Sequence, residues 1–105
     1  MLTDRTKHKF IEWYLDNYGD TKYKSMFDEL PLSMKYGILV DFFDSLKITI
    51  NECSIKNGVV TYLPQILRKH SYPSNVGIFS DRETSREESI KKADIIYNEF
   101  YKRLT

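Results

Sequence analysis

The sequence predicts an α+β fold: three N-terminal helices, an antiparallel hairpin or three-stranded sheet, and a long C-terminal helix. Three observations carry this. Apolar residues recur at three- and four-residue spacing up to Lys47, then give way to a β-branched, partly alternating run; that is the change from helical to strand period. Asn57-Gly58 lies between two such runs, a strong hairpin signal. From Ile90 onward the apolar spacing is 3, 4, 3, 4 again, through Ala93, Tyr97, Phe100 and Leu104. With 105 residues, a single domain spanning 1–105 is expected.

Each element has a local reason. Over 4–18, Phe10, Ile11, Tyr14, Leu15 and Tyr18 make an amphipathic stripe. Thr3 or Asp4 can cap its start, and Gly19 suits the left-handed position that ends it. Asp20 or Thr21 can cap a short second helix with Tyr23, Met26, Phe27 and Leu30 as its stripe. Pro31 closes it, because the residue before a proline is pushed out of helical angles. Ser33 is then the expected N-cap of a third helix over 34–46, with Met34, Ile38, Phe42 and Leu46 on its main face and Leu39 and Phe43 beside them. A helix apolar on most sides is expected to be central. Gly37 inside it predicts a close neighbour that a Cβ would block, since glycine costs up to about 1 kcal/mol relative to alanine there.

After Lys47, "ITINECSI" and "VVTYL" read as strands. A two-residue type I′ turn at Asn57-Gly58 would set Lys56 opposite Val59, Ile55 opposite Val60 and Cys53 opposite Tyr62. Ile55, Cys53, Val60 and Tyr62 would then face the helices. Ile48 and Ile50 have the other parity, so a bulge near Asn51–Glu52 is expected. Pro64 limits the second strand. Residues 68–81 read as a loop, with a third short strand at Val76–Phe79. Ser85-x-x-Glu88, or its rival Thr84-x-x-Glu87, is the expected capping box of the final helix, and Lys102 and Arg103 suit its negative end.

Composition narrows function. Hydrophobic residues make up 41% and charged residues 30%, which suits a packed domain rather than a disordered chain. Net charge is +1, far from the basic stripe of a dedicated nucleic-acid binder. Cys53 is alone, so no internal disulfide is expected and a cytoplasmic setting follows. No signal-like segment and no membrane-length apolar run is visible.

Chemistry-bearing patterns are sparse. One Cys and two His, His8 and His70, lie in different segments, so no metal site is expected. The four glycines are scattered, and no cofactor loop is present. Cys53 on an inner strand face reads as a small apolar filler. Asp41 with Asp44, and Glu12 with Asp16, are helix-spaced carboxylates that read as solvated pairs. Arg68, Lys69 and Tyr72, with Arg82 and Arg86, are the candidate partner or ligand contacts. Cations beside aromatics can hold single-stranded nucleic acid by charge and stacking. Acids interleave here, at Asp81, Glu83, Glu87 and Glu88, and weaken that field.

Two stretches, "LPLSMKYGILVDFFDSLKITI" at 30–50 and "TSREESIKKADIIYNEF" at 84–100, together resemble a group of small proteins from bacteriophages of Bacteroides-like gut bacteria. The shared pattern falls on Leu30, Pro31, Ser33, Met34 and Gly37, on Asp41 through Ser45, and on Arg86, Ile96, Tyr97 and Asn98. The chain departs from the group at Ser85 and Glu88–Ser89, where small alanine-rich positions are frequent. The resemblance implies a non-enzymatic phage accessory protein, in the host cytoplasm, that binds a host or phage protein and modulates host functions or defence. It transfers no catalytic residue and no cofactor. A nucleotide or single-stranded nucleic-acid module built on the Tyr- and Arg-bearing surface is the alternative. A homodimer would be a further way to cover an aromatic-rich surface.

Overall fold

The computed structural model describes residues 2–18, 27–69 and 71–104, with side chains through 100. The expectations for Gly19, Asp20, Thr21, Tyr23, Met26 and His70, and for the side chains of Lys102, Arg103 and Leu104, fall outside the described residues. The chain runs α1 (Asp4–Tyr18), α2 (described over 27–29), α3 (Leu32–Ser45), β1 (Ile48–Asn51), β2 (Ser54–Asn57), β3 (Val59–Tyr62), β4 (Gln65–Arg68), β5 (Ser74–Asn75) and α4 (Arg82–Leu104). It is the α+β fold that the periodicities predict.

One antiparallel sheet has the order β1-β4-β5, and β2-β3 forms a separate two-stranded ribbon. Ile48 and Ile50 are buried while Thr49 and Asn51 are exposed, so β1 turns one face to the helices. Ile66 of β4, opposite Ile50, completes that face. Helices α3 and α4 pack on it, and α1 packs on both. Phe10, Tyr14, Leu39, Phe42, Phe43, Ile90, Ala93 and Tyr97 fill the space between. Phe10 lies 5.2 Å from Phe42, edge to face, an arrangement that adds to the area buried.

α3 is turned from its expected setting. Its buried side chains are Tyr36, Leu39, Phe42 and Phe43. Met34 is 57% exposed and Gly37 is exposed too. The helix is apolar nearly all round, so its own pattern cannot choose a face; Phe42 and Phe43 bury more area than Met34, and that sets the rotation. A Cβ at Gly37 would meet no described atom within 4 Å, so the expected close neighbour is not found among the described residues. The helix opens on Pro31 as N-cap rather than Ser33, with no side-chain cap bond.

The β region differs in three ways. The parity change at Asn51–Glu52 is a break between two sheets, not a bulge. β4, unforeseen, pairs with β1 over Ile48↔Arg68 to Asn51↔Gln65. The ribbon register is one residue off the expected one: Ser54↔Tyr62, Ile55↔Thr61, Lys56↔Val60. Type I′ needs positive φ at both central residues, yet of Asn57 and Gly58 only Gly58 has it, at +80°, and the strands pair across it through Asn57↔Val59. A one-residue slip sends every side chain to the other face. The expected strand at Val76–Phe79 is instead β5 at Ser74–Asn75 plus one bridge, Phe79 to Tyr62.

α4 begins earlier than either capping box. The Asp81 side chain accepts the Thr84 N–H at 3.0 Å, and the Asp81 carbonyl accepts the Ser85 N–H. Asp81 is therefore the N-cap, and these Thr84 bonds hold its carboxyl below the usual carboxylate range. Ile90, Ala93 and Tyr97 are buried as expected, while Phe100 is exposed.

Candidate functional site

The five sequence-predicted contacts do not converge. Arg68 ends β4 opposite Ile48, and Lys69 and Tyr72 follow in the next turn. Tyr72 is 93% exposed. Arg82 and Arg86 lie instead at Glu52, four residues beyond Ile48, or roughly 13 Å along an extended strand.

At that end, one carboxylate serves two cations. Arg86 Nε donates to Glu52 Oε1 at 3.2 Å, and Arg82 Nε lies 3.5 Å from the same oxygen. The Arg86 guanidinium sits 4.9 Å from the centre of the Tyr36 ring, and that of Arg82 sits 5.7 Å from Tyr62. A carboxylate at this distance cancels much of the charge that a phosphate would need, and the rings are already faced by their own cations. Burial first, then the Glu52 charge, pushes the Tyr36 hydroxyl up to about 12, with Arg86 acting the other way. The cluster ties the β1–β2 junction to α3, β3 and α4.

Other candidates stay as scattered side chains. Asp41, Asp44, Glu12 and Asp16 are all exposed. Among the described residues, no group of three or more His, Cys, Asp or Glu could hold a metal ion. Among the same residues, no helix is long and apolar enough to cross a membrane.

The surface that sequence reasoning missed is the outer face of the β2–β3 ribbon. Directly opposed residues of an antiparallel pair share a face, and neighbours alternate. Ile55, Asn57, Val59 and Thr61 therefore share one face, while Ser54, Lys56, Val60 and Tyr62 share the other. The Leu63 N–H donates to the Cys53 carbonyl at 2.9 Å, which extends the ladder by one pair and adds Cys53 and Leu63 to the first face. Tyr62 and Phe79 exchange both backbone bonds, at 2.8 and 2.9 Å, so the segment before α4 lines the other edge of β3. Ile78 then falls on the Thr61–Leu63 side.

This face carries no charge. Ile55 is 54% exposed, Val59 73% and Ile78 76%. Cys53 and Leu63 are half-buried between them. With the expected two-residue turn, Ile55 would have faced inward; the observed register is the reason that it does not. Alternation in "CSIKNGVVTYL" held the signal, but only the turn type gives its sign. No family model, curated protein or solved structure matches the chain.

Proposed function

We propose that this chain is a non-enzymatic accessory protein of a bacteriophage that binds a host or phage protein through the outer face of the β2–β3 ribbon, and so modulates host functions or defence. The phage setting rests on the resemblance of residues 30–50 and 84–100. The binding mode rests on one observation: an uncharged sheet face with Ile55, Val59 and Ile78 each more than half exposed. Burying one such side chain is worth about 1.5–3 kcal/mol, and contiguous apolar patches on a small domain are typical of interaction surfaces. Glu52 between Arg82 and Arg86 speaks against the nucleic-acid alternative.

The test is affinity capture from infected cells, followed by calorimetry with the purified captured protein. Val59→Lys and Ile78→Lys change exposed positions and leave the core intact. Loss of the same partner with both variants, and retention with Tyr72→Ala, supports the proposal. Undiminished binding by both ribbon variants sinks it. An anisotropy titration with short single strands covers the alternative; micromolar binding at physiological salt, lost in Arg82→Ala/Arg86→Ala, would favour nucleic acid.

A further inference from the structure

Among the described residues, the outer edge of β2 is unpaired. β2 pairs with β3 alone, and Phe79 closes the far edge of β3 at Tyr62. All four residues of β2 are exposed. The pairing fixes which backbone groups face outward. In an antiparallel pair, residues that exchange bonds alternate with residues whose N–H and C=O point away from the neighbouring strand. Tyr62 turns both of its groups to Phe79, so Ser54, opposite Tyr62, points its own groups outward. Lys56, two residues on, does the same. Their donors and acceptors line the edge at the spacing that a further strand matches.

We propose that β2 takes up an extended segment of the partner protein as an added strand, with an apolar residue beside Ile55 and an acidic residue beside Lys56. This rests on the ribbon-binding reading above and names the form of the partner. Backbone bonds to Ser54 and Lys56 hold the segment, and its alternate side chains fall on the two faces of the ribbon. The residue beside Ile55 extends the apolar face that carries Val59. The residue beside Lys56 lies on the opposite face. Lys56 has no ion pair among the described residues, and unlike charges across a strand pair attract while like charges repel. A second copy of the chain fits this edge less well. About a two-fold axis, the registers that engage Lys56 set it against its own image, against Ser54 or against Glu52, whose carboxylate Arg82 and Arg86 already hold. None offers a free acid.

Amide hydrogen exchange of the whole chain tests this, first with synthetic peptides and then with the purified captured protein. A peptide of alternating Val and Asp at millimolar concentration should slow exchange at Ser54 and Lys56; one of alternating Val and Lys should not. The captured protein should slow both amides by about tenfold or more. Ser54→Pro removes an N–H that β3 does not use, a position where an edge strand tolerates proline. It should weaken binding by about tenfold or more while Ser54→Ala binds as the wild type does. Lys56→Glu, which leaves the backbone unchanged, should weaken binding about tenfold, and Lys56→Arg should retain it. If binding is lost with Val59→Lys but both amides stay fast in the complex and Ser54→Pro and Lys56→Glu bind fully, the added strand is overturned and the ribbon-face reading stands. Binding that survives Val59→Lys and Ile78→Lys yet fails with Ser54→Pro sinks the face reading and supports the strand. Protection of both amides in the concentrated chain alone, with a dimer in sedimentation velocity, overturns the proposal by giving the edge to a second copy.

Discussion

The carboxylate of Asp94 on α4 accepts both the backbone N–H of Thr3, at 3.0 Å, and its hydroxyl, at 2.7 Å. Asp94 is buried, and Asn98, one turn on, accepts the Thr6 N–H at 3.1 Å through Oδ1. α4 therefore does for the start of α1 what an N-cap side chain does locally. Asp94→Ala should lower stability by about 2–3 kcal/mol, since it leaves the Thr3 donors without their acceptor. Asn98→Ala should cost about 1–2 kcal/mol by the same reasoning. Because the Asn98 amide also bonds Thr3 and Asp94, the double variant should lose less than the sum. Urea titrations of the single and double variants give all three values.

Gly37→Ala should stabilise the monomer. The site has room for a Cβ and the change favours helix by up to about 1 kcal/mol. A thermal melt at low protein concentration should show a higher midpoint. A lower one would mean that α3 is crowded there after all.

Lys47 joins α3 to β1 with φ +64°, a left-handed angle that suits glycine at a helix C-terminus. A non-glycine residue there costs about 1–2 kcal/mol, partly offset by glycine's greater freedom in the unfolded chain. Lys47→Gly should therefore raise stability by up to about 1 kcal/mol in a denaturant titration. By the same reasoning Gly58→Val, at φ +80°, should destabilise the ribbon, read as faster amide exchange in β2 and β3.

Tyr36 ties stability to alkaline pH. Its hydroxyl titrates at about 12 in the folded chain against an ordinary 10.0. The folded state therefore holds a proton that the unfolded state gives up between those values. The resulting stabilisation is complete below pH 10 and is lost as pH rises through about 12. Over that window wild-type stability should fall more steeply than that of Tyr36→Phe. Ultraviolet titration of tyrosinate should show a late component that is smaller by one tyrosine in the variant.

Elements whose period is local could be read from the residues alone. The stripe of α1, the Ile90–Ala93–Tyr97 face of α4 and the turn at Gly58 all follow from spacing and glycine's freedom, which a window of a dozen residues contains. Tertiary structure decided what depends on distant partners. The buried face of α3 was ambiguous, because Met34 and Phe42 both read as core; the sheet beneath chose the larger rings. β4 was invisible because its pairing partner lies across Ile48↔Arg68, with no alternation of its own to mark it. The ribbon's outward face turned on a one-residue choice of register. Asp94 carried no signal in the sequence, yet it is buried and accepts a bond from Thr3, 91 residues away. Arg82 and Arg86 read as candidate contacts weakened by the acids beside them in sequence; folding instead brought Glu52, from the β1–β2 junction, against both. Periodicity reports only which residues share a face of their own element. Which face is covered, and by which charge, follows from the total area and polarity that the packed chain can satisfy.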